Sequence, residues 1–169
     1  MRQVPRVLFP FVGDQFGGSH LSTLLLIKHL DRGRYEPVIV VHERGPLTEH
    51  LERRGFSYQL LPLSAYPGRR PVALDIALCA VRTLPRLGAF LLRERISIVH
   101  GNDLRINLAW QPAARCFGRK FIWHQRAVPT PSRLWMSAPL LSHRVICISR
   151  AVRDALHGGG RKNVEVIDN

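Results

Sequence analysis

The chain has 169 residues, a length that suits one domain with a single core, and its 46% of hydrophobic residues argues against a disordered chain. No apolar run approaches the ~18 residues that a membrane-spanning helix needs. The 25 Lys and Arg against 12 Asp and Glu give a formal charge of +13, which favours anionic partners such as phosphates, acidic lipids or nucleic acid. The alternative explanation is that the arginines are spread over solvated faces and bind no particular partner.

The first half of the chain alternates apolar strands with helices. Ser19 stands where it would cap the first helix, and Gly55 stands where it would end the second. A turn-rich loop, residues 13–18, separates the first strand from the first helix. The pattern predicts strands at residues 6–11, 37–41 and 58–61, and helices at residues 19–30 and 47–54.

The second half opens with a long apolar helical region, residues 72–95, in which we expect Pro85 and Gly88 to cause a kink or a break. Asp103 and Ser149 each stand where a helix needs a cap. The pattern predicts strands at residues 96–100, 120–124 and 144–148 and near residue 166, and helices at residues 103–117, 133–141 and 149–156.

Strands that are apolar throughout, joined by helices, are typical of a parallel sheet that is buried on both faces. Right-handed crossovers then give an open, doubly wound, Rossmann-like α/β domain at residues 1–169, with a mostly parallel sheet and helices on both faces. In such sheets ligands bind at the carboxyl ends of the strands. The residues that follow each strand are therefore the candidates for function.

Two glycines follow the first strand. Gly17 and Gly18 come directly before a helix, and His20 lies in its first turn. Glycines at such a place let backbone N–H groups approach an anion, and the helix dipole favours negative charge there. The spacing fits neither the dinucleotide fingerprint G-x-G-x-x-G nor a Walker A loop. A tight turn is the simpler explanation of the pair, and a phosphate-binding edge is the functional one.

Polar side chains also follow the later strands. Asn102 comes after the fourth strand, His124 and Arg126 end the fifth, and Ser149 follows the sixth. A His and an Arg at this edge can contact a sugar hydroxyl and a phosphate. A purely structural histidine explains His124 equally well, and Ser149 is also expected to cap a helix.

The cysteines and the other histidines form no metal-site pattern. Cys79, Cys116 and Cys147 lie far apart without CxxC spacing, which predicts free thiols in a reducing compartment. No histidines have the spacing of metal ligands, so we expect no metal and no other cofactor. Because no signal peptide opens the sequence, we expect a cytoplasmic protein, either soluble or peripheral at the inner face of a membrane.

Five loose motifs follow one another along the chain: Phe16-Gly17-Gly18-Ser19-His20, Ile98-Val99-His100-Gly101-Asn102, Phe121-Ile122-Trp123-His124, Arg144-Val145-Ile146-Cys147-Ile148-Ser149 with Val152-Arg153, and Val164-Glu165-Val166-Ile167-Asp168-Asn169. Together, in this order and at this spacing, they resemble the N-terminal domain of the retaining glycosyltransferases of family 4, which have the GT-B fold. The resemblance covers nearly the whole chain.

The resemblance implies one half of a GT-B enzyme that moves a sugar from a nucleotide diphosphate sugar to a glycan or lipid-linked acceptor. This half would mainly hold the acceptor, and the nucleotide sugar would be bound mostly by the missing half. His124 matches the family histidine near the transferred sugar and is the predicted catalytic residue, while Gly17 and Gly18 would lie under the donor diphosphate. The predicted substrate-binding residues are Gly17, Gly18, His20, Asn102, Arg126 and Ser149.

In the family a glycine usually follows the position of Asn169, and a second α/β domain comes next. That domain carries an Arg/Lys pair for the diphosphate and paired glutamates for the donor. A single wall of the cleft cannot stabilise the charge of a leaving diphosphate, so we expect the isolated chain to be inactive.

Two other functions compete with this interpretation. The chain could be a non-catalytic subunit that binds an anionic membrane surface or the acceptor and recruits a separate nucleotide-sugar-binding partner. The apolar and basic residues from Arg69 to Arg93 resemble an interfacial helix, although a helix with one side in the core has the same pattern. A nucleic-acid-binding domain is disfavoured, because the basic residues are not accompanied by a recognised motif.

Overall fold

A seven-stranded sheet forms the centre of the protein in the computed structural model, which describes residues 4–63, 73–129, 140–156 and 160–168. Its strands are β1 (Arg6–Phe11), β2 (Glu36–Val41), β3 (Gln59–Leu60), β4 (Ile96–Gly101), β5 (Lys120–Gln125), β6 (Arg144–Cys147) and β7 (Val164–Val166). They pair in parallel, in the order β3-β2-β1-β4-β5-β6-β7. The predicted open, doubly wound α/β fold is therefore confirmed.

The helices described from end to end are α1 (Gly18–His29), α2 (Pro46–Arg53), α3 (Ala73–Arg93), α4 (Leu104–Cys116) and α5 (Arg150–Ala155). Asp103 caps α4 by accepting a hydrogen bond from the backbone N–H of Arg105 at 2.9 Å, and Ser149 caps α5. The prediction that Ser19 caps α1 is wrong. The helix begins one residue earlier, with Gly17 at the cap position, so a glycine without a side chain opens it.

The long helix α3 is continuous with Pro85 inside it, so of the kink or break predicted at Pro85 and Gly88, the break does not occur. Pro85 lies on the exposed side, where water can hydrogen-bond the carbonyl that the proline leaves without a donor. Gly88 lies against the Phe117 ring, which would stand 2.1 Å from an added Cβ, so this glycine lets the end of α4 pack closely. The predicted helix at residues 133–141 lies almost entirely outside the described residues.

Alternate side chains of each strand supply the two faces of the sheet. Val7 and Phe9 of β1 pack with α1 and α2 on one face, while Leu8 between them packs with α3 and α4 on the other. Helices thus cover both faces, and the carboxyl ends of the parallel strands meet at a single edge. Within the described part of the chain, no helix has the length and apolar character that crossing a bilayer requires.

Gly13 is the position where the fold depends most directly on a glycine. Its φ is +115°, and an added Cβ would stand 2.0 Å from the carbonyl oxygen of Glu43. We therefore expect Gly13→Ala to lower the free energy of unfolding by about 2–4 kcal/mol in urea denaturation. Gly18→Ala is the matched control, because that position is helical and open, and it should change stability by less than about 1 kcal/mol. Equal stability of the two variants would contradict this account.

Candidate functional site

A polar cleft opens at the carboxyl ends of β4 and β5, beside the first turn of α1. Its cavity has a volume of about 420 Å³. The cavity is lined by Asn102 after β4 and by His124 and Arg126 at the end of β5. Ser19 and Asp103, from the starts of the two flanking helices, also line it. The fold thus brings three of the predicted site residues into one cavity.

Gly17 and Gly18 form an open edge next to Ser19. No atom of a neighbouring segment lies within 4 Å of the place that a Cβ would take at either glycine. The backbone of Gly17 is extended, with φ −160°, which any residue adopts, so the turn itself does not require glycine. A tight turn therefore does not explain the pair. Their lack of side chains instead leaves the first N–H groups of α1 accessible to a ligand.

His20 closes the first turn of α1 from the side. Its Nδ1 accepts a hydrogen bond from the backbone N–H of Gly17 at 3.2 Å, which places the ring proton of the neutral form on Nε2. Burial lowers the pKa of His20, and Asp103 and Asp14 partly oppose that shift. His20 does not line the cavity, so its observed part in the site is to hold the turn that carries the two glycines.

Thr23 joins the three cleft elements, and sequence reasoning missed it. Its hydroxyl lies 2.5 Å from Oδ1 of Asn102 and 2.9 Å from the carbonyl oxygen of Ser19, so its single proton goes to one of these two acceptors, and its oxygen accepts a hydrogen bond from Nη2 of Arg126 at 3.3 Å. The side chain is fully buried. In the sequence Thr23 is one polar residue in a helix whose leucines lie on both its buried and its exposed sides, and no local signal separates it from a solvent-facing threonine.

The loop after β5 is shaped by Gln125. Its Oε1 accepts a hydrogen bond from the indole N–H of Trp123 at 2.8 Å, and its amide nitrogen donates to the carbonyl of Ala127 at 2.6 Å. Both ends of the Gln125 side chain are thereby fixed, on the strand and on the loop. Arg126 lies between these two anchors, and they direct it towards α1.

His124 lines the cleft, and the buried His100 lies behind it, with the two ring centroids 5.4 Å apart. Burial lowers the pKa of His124 to about 4, and the positive charge of Arg126 contributes to the shift. Burial lowers the pKa of His100 to about 3, with further contributions from His124 and Arg126. Both rings are therefore neutral at physiological pH. His100 packs edge-on against Phe9, and its buried Nε2 finds no hydrogen-bond partner among the described residues.

Arg126 brings a cation into this wall without a matching carboxylate. Its Nη2 lies 3.4 Å from Nδ1 of His124, and its buried Nε has no hydrogen-bond partner in the part of the chain that the structure describes. Among the described residues it forms no salt bridge. Burial lowers the pKa of Arg126, but a guanidinium stays charged in proteins. The cleft therefore holds a positive charge that an anionic group could neutralise.

Asp14 does not supply that negative charge, because it is bound elsewhere. Both of its carboxylate oxygens accept hydrogen bonds from the guanidinium of Arg105, each at 2.9 Å. The hydrogen bonds from Arg105 hold the pKa of Asp14 below its ordinary value. This bidentate pair ties the loop after β1 to the first turn of α4 and leaves Arg126 unopposed.

Ser149 stands apart from the cleft. Its Oγ accepts a hydrogen bond from the backbone N–H of Val152 at 3.3 Å, which is the capping role that the sequence predicts. It does not line the cavity. Its predicted role in substrate binding therefore stays a prediction, and capping is the role that its hydrogen bond displays.

His42, at the end of β2, is a structural histidine. The indole N–H of Trp110 donates to its Nε2 at 2.9 Å, so Nδ1 carries the proton and donates to the carbonyl of Leu61 at 2.6 Å. Burial lowers the pKa of His42 to about 4. Across the residues that the structure describes, no group of three His, Cys, Asp or Glu side chains could hold a metal ion.

Comparison with known families gives a match along most of the chain. The family model of Glycosyltransferase Family 4 matches residues 16–169. This range contains the glycine pair, all the cleft residues and the last strand. No curated protein sequence matches the chain.

Several solved structures share the fold. They include Anabaena Alr3699/HepE in complex with UDP-glucose (TM-score 0.71, 17% identity, 97% of this chain and 43% of that one). A glycosyltransferase from Rickettsia africae (TM-score 0.70, 16% identity, 98% and 43%) and Acinetobacter baumannii MurG (TM-score 0.69, 13% identity, 97% and 45%) are similar to the same extent. At these identities the likeness concerns the fold alone. The chain spans less than half the length of each.

The burial of His42 makes stability depend on pH. Its pKa is about 4 in the folded state against an ordinary value of 6.5, so the unfolded chain takes up the proton first as the pH falls. This contribution to stability is complete above pH ~6.5 and is lost as the pH falls towards 4, at up to about 1.4 kcal/mol per pH unit. In urea denaturation at several pH values, we expect the free energy of unfolding of His42→Phe to fall less steeply with decreasing pH than that of the unaltered chain. The difference in slope should correspond to the uptake of up to one proton on unfolding.

Leu47→Ala is the control for this measurement, because it removes buried apolar volume without removing a titratable group. It should lower the free energy of unfolding and leave the pH dependence of unfolding as it is in the unaltered chain. Equal slopes for the unaltered chain and His42→Phe would show that His42 does not titrate on unfolding.

Proposed function

The chain belongs to glycosyltransferase family 4, and on that premise we propose that it is the acceptor-binding half of a retaining glycosyltransferase. Such an enzyme moves a sugar from a nucleotide diphosphate sugar to a glycan or lipid-linked acceptor. The observation that carries the proposal is the unopposed cation of Arg126 beside the neutral His124, in a cleft whose rim is the open glycine edge.

The glycine edge and Arg126 suit the diphosphate of the donor. Accessible N–H groups at the start of α1 and the helix dipole attract a phosphate group, and a buried guanidinium binds one more strongly still. Among the structures with this fold, Anabaena HepE is in complex with UDP-glucose. By analogy, the diphosphate would lie between Gly17, Gly18 and Arg126.

The neutral state of His124 suits a sugar hydroxyl. A guanidinium only donates hydrogen bonds, so Nδ1 of His124, which faces Arg126, is an acceptor and the ring proton sits on Nε2. That N–H can donate to an oxygen of the transferred sugar. Because the pKa of the ring is about 4, it would act at neutral pH by hydrogen bonding and not as a cation.

The second wall of the cleft must come from elsewhere. Stabilising a leaving diphosphate takes preorganised donors around the whole developing charge, and the described lining of the cleft supplies one cationic side chain. The chain spans less than half of the related structures. The alternative is a non-catalytic subunit that binds membrane or acceptor and recruits a separate nucleotide-sugar-binding partner.

We expect UDP-glucose to bind weakly at the cleft of the isolated chain, because half of the donor site is here. In amide NMR titrations the shifts should concentrate at Gly17, Gly18 and Asn102, and uridine, which lacks the diphosphate, should cause much smaller changes. Arg126→Gln should weaken binding by about 10- to 100-fold, the usual cost of losing a charged hydrogen bond.

Arg150→Gln is the matched control, because it removes the same charge from an exposed site on α5. It should bind UDP-glucose as the unaltered chain does. Shifts that lie outside the cleft, or equal losses in Arg126→Gln and Arg150→Gln, would contradict the proposed diphosphate site.

We also expect the isolated chain to transfer no sugar, since one wall of the cleft cannot stabilise the departing UDP. In an assay of UDP release from UDP-glucose with lipid-linked or glycan acceptors, the rate with the protein should equal the background rate measured without it. Release that depends on the acceptor and disappears in His124→Ala would disprove the need for a second half.

A further inference from the structure

A groove lies between α1 and α2, the two helices that cover one face of the sheet. Its cavity has a volume of about 540 Å³ and shares no lining residue with the polar cleft. Leu24, which is buried, and Phe56, which is half-buried, line it together with Leu21 and Leu25, which are 46% and 48% exposed. Large apolar side chains that stay exposed side by side mark an interaction surface.

One end of the groove is apolar and the other is cationic. Leu21, Leu25 and Lys28 follow one line along α1, and Arg32 comes just after the helix. Arg54 directly follows α2 and lines the same groove. Because α1 and α2 each follow the carboxyl end of a parallel strand, both helices start at that edge of the sheet and end at the opposite one. The basic residues at their ends therefore come together.

These three cations are not neutralised within the described part of the chain. Lys28, Arg32 and Arg54 form no salt bridge there, and no Asp or Glu is among the described residues that line the groove. The helix dipole favours basic residues at these ends, and Arg32 donates to the carbonyl of Ile27 at 3.1 Å. Each helix end carries only about half a negative charge, so the two ends offset about one of the three cations.

We propose that this groove is the docking site for an acidic amphipathic helix of a partner protein. Apolar side chains of that helix would pack on the two exposed leucines, and carboxylates one or two turns further along it would pair with the three cations. From Leu21 to Lys28 the line is about 10 Å long, so two helical turns reach from the apolar end to the cationic one. The groove shares no residue with the cleft, so the inference is independent of sugar transfer.

Other occupants fit the groove less well. Its walls are low, since Leu21 and Leu25 are nearly half exposed, whereas a small-molecule site buries most of its ligand. A nucleic acid would neutralise the cations with its phosphates and leave the leucines in water. A second copy of the chain would bring a second formal charge of +13, so two copies repel each other. Charge complementarity therefore favours an acidic partner.

The test is a calorimetric titration of the full chain with a model helical peptide that carries leucines on the first half of one face and glutamates on the second. We expect binding that weakens as the salt concentration rises, and little binding of the same peptide with glutamine in place of glutamate. Lys28→Gln with Arg54→Gln should weaken binding by about fivefold for each cation. Leu21→Gln with Leu25→Gln should weaken it by about tenfold or more, while circular dichroism shows an unchanged fold.

Arg82→Gln with Arg86→Gln is the matched control, since it removes two charges from α3 on the opposite face of the sheet. It should bind the peptide within about twofold of the unaltered chain. The proposal is overturned if the glutamate peptide does not bind, if the glutamine peptide binds equally, or if the two charge variants lose equal affinity. Displacement of the peptide by UDP-glucose, or an oligonucleotide or a second copy of the chain binding at the groove in place of the peptide, would overturn it as well.

Discussion

The reversal of strand order at β1 is the constraint on which the site depends. Because β2 and β3 lie on one side of β1 and β4 to β7 on the other, the helices that follow β1 and β4 leave the sheet on opposite faces. Their first turns therefore stand on either side of a crevice. The bidentate pair between Asp14 and Arg105 ties the loop between β1 and α1 to the first turn of α4, so the cleft is held by an ion pair as well as by the sheet.

Inside the cleft, neighbouring buried groups differ in whether they carry a charge. Removing water keeps His100 and His124 neutral, while Arg126 keeps its charge because a guanidinium does not lose its proton in proteins. Among the described residues, the wall consequently combines the cation of Arg126 with the neutral imidazole of His124, while the carboxylate of Asp103 caps α4. Such a wall discriminates by charge at one place and by hydroxyl geometry around it, which suits a ligand that is part phosphate and part sugar.

Much of the fold could be predicted from the sequence because apolar strands and caps are local signals. The strand ends also identified Asn102, His124 and Arg126, since parallel strands bring their carboxyl ends to one edge. Thr23 could not be found in this way, because its importance comes from contacts with residues about 80 and 100 positions away. The continuity of α3 was hidden for a similar reason. Gly88 is a glycine because a side chain there would collide with the Phe117 ring of another element, and that contact cannot be read from the helix sequence.

The contact between the loops after β1 and β2 has a consequence for how sequences of this kind diverge. Gly13 has no room for a side chain beside Glu43, and a Cβ at Gly45 would stand 2.8 Å from the carbonyl oxygen of Gly13. Neither loop can therefore lengthen or gain a side chain at these points unless the other changes too. Evolutionary change at this edge should arrive as paired substitutions, whereas the rim formed by Gly17 and Gly18 touches no neighbouring segment and is free to vary with the ligand.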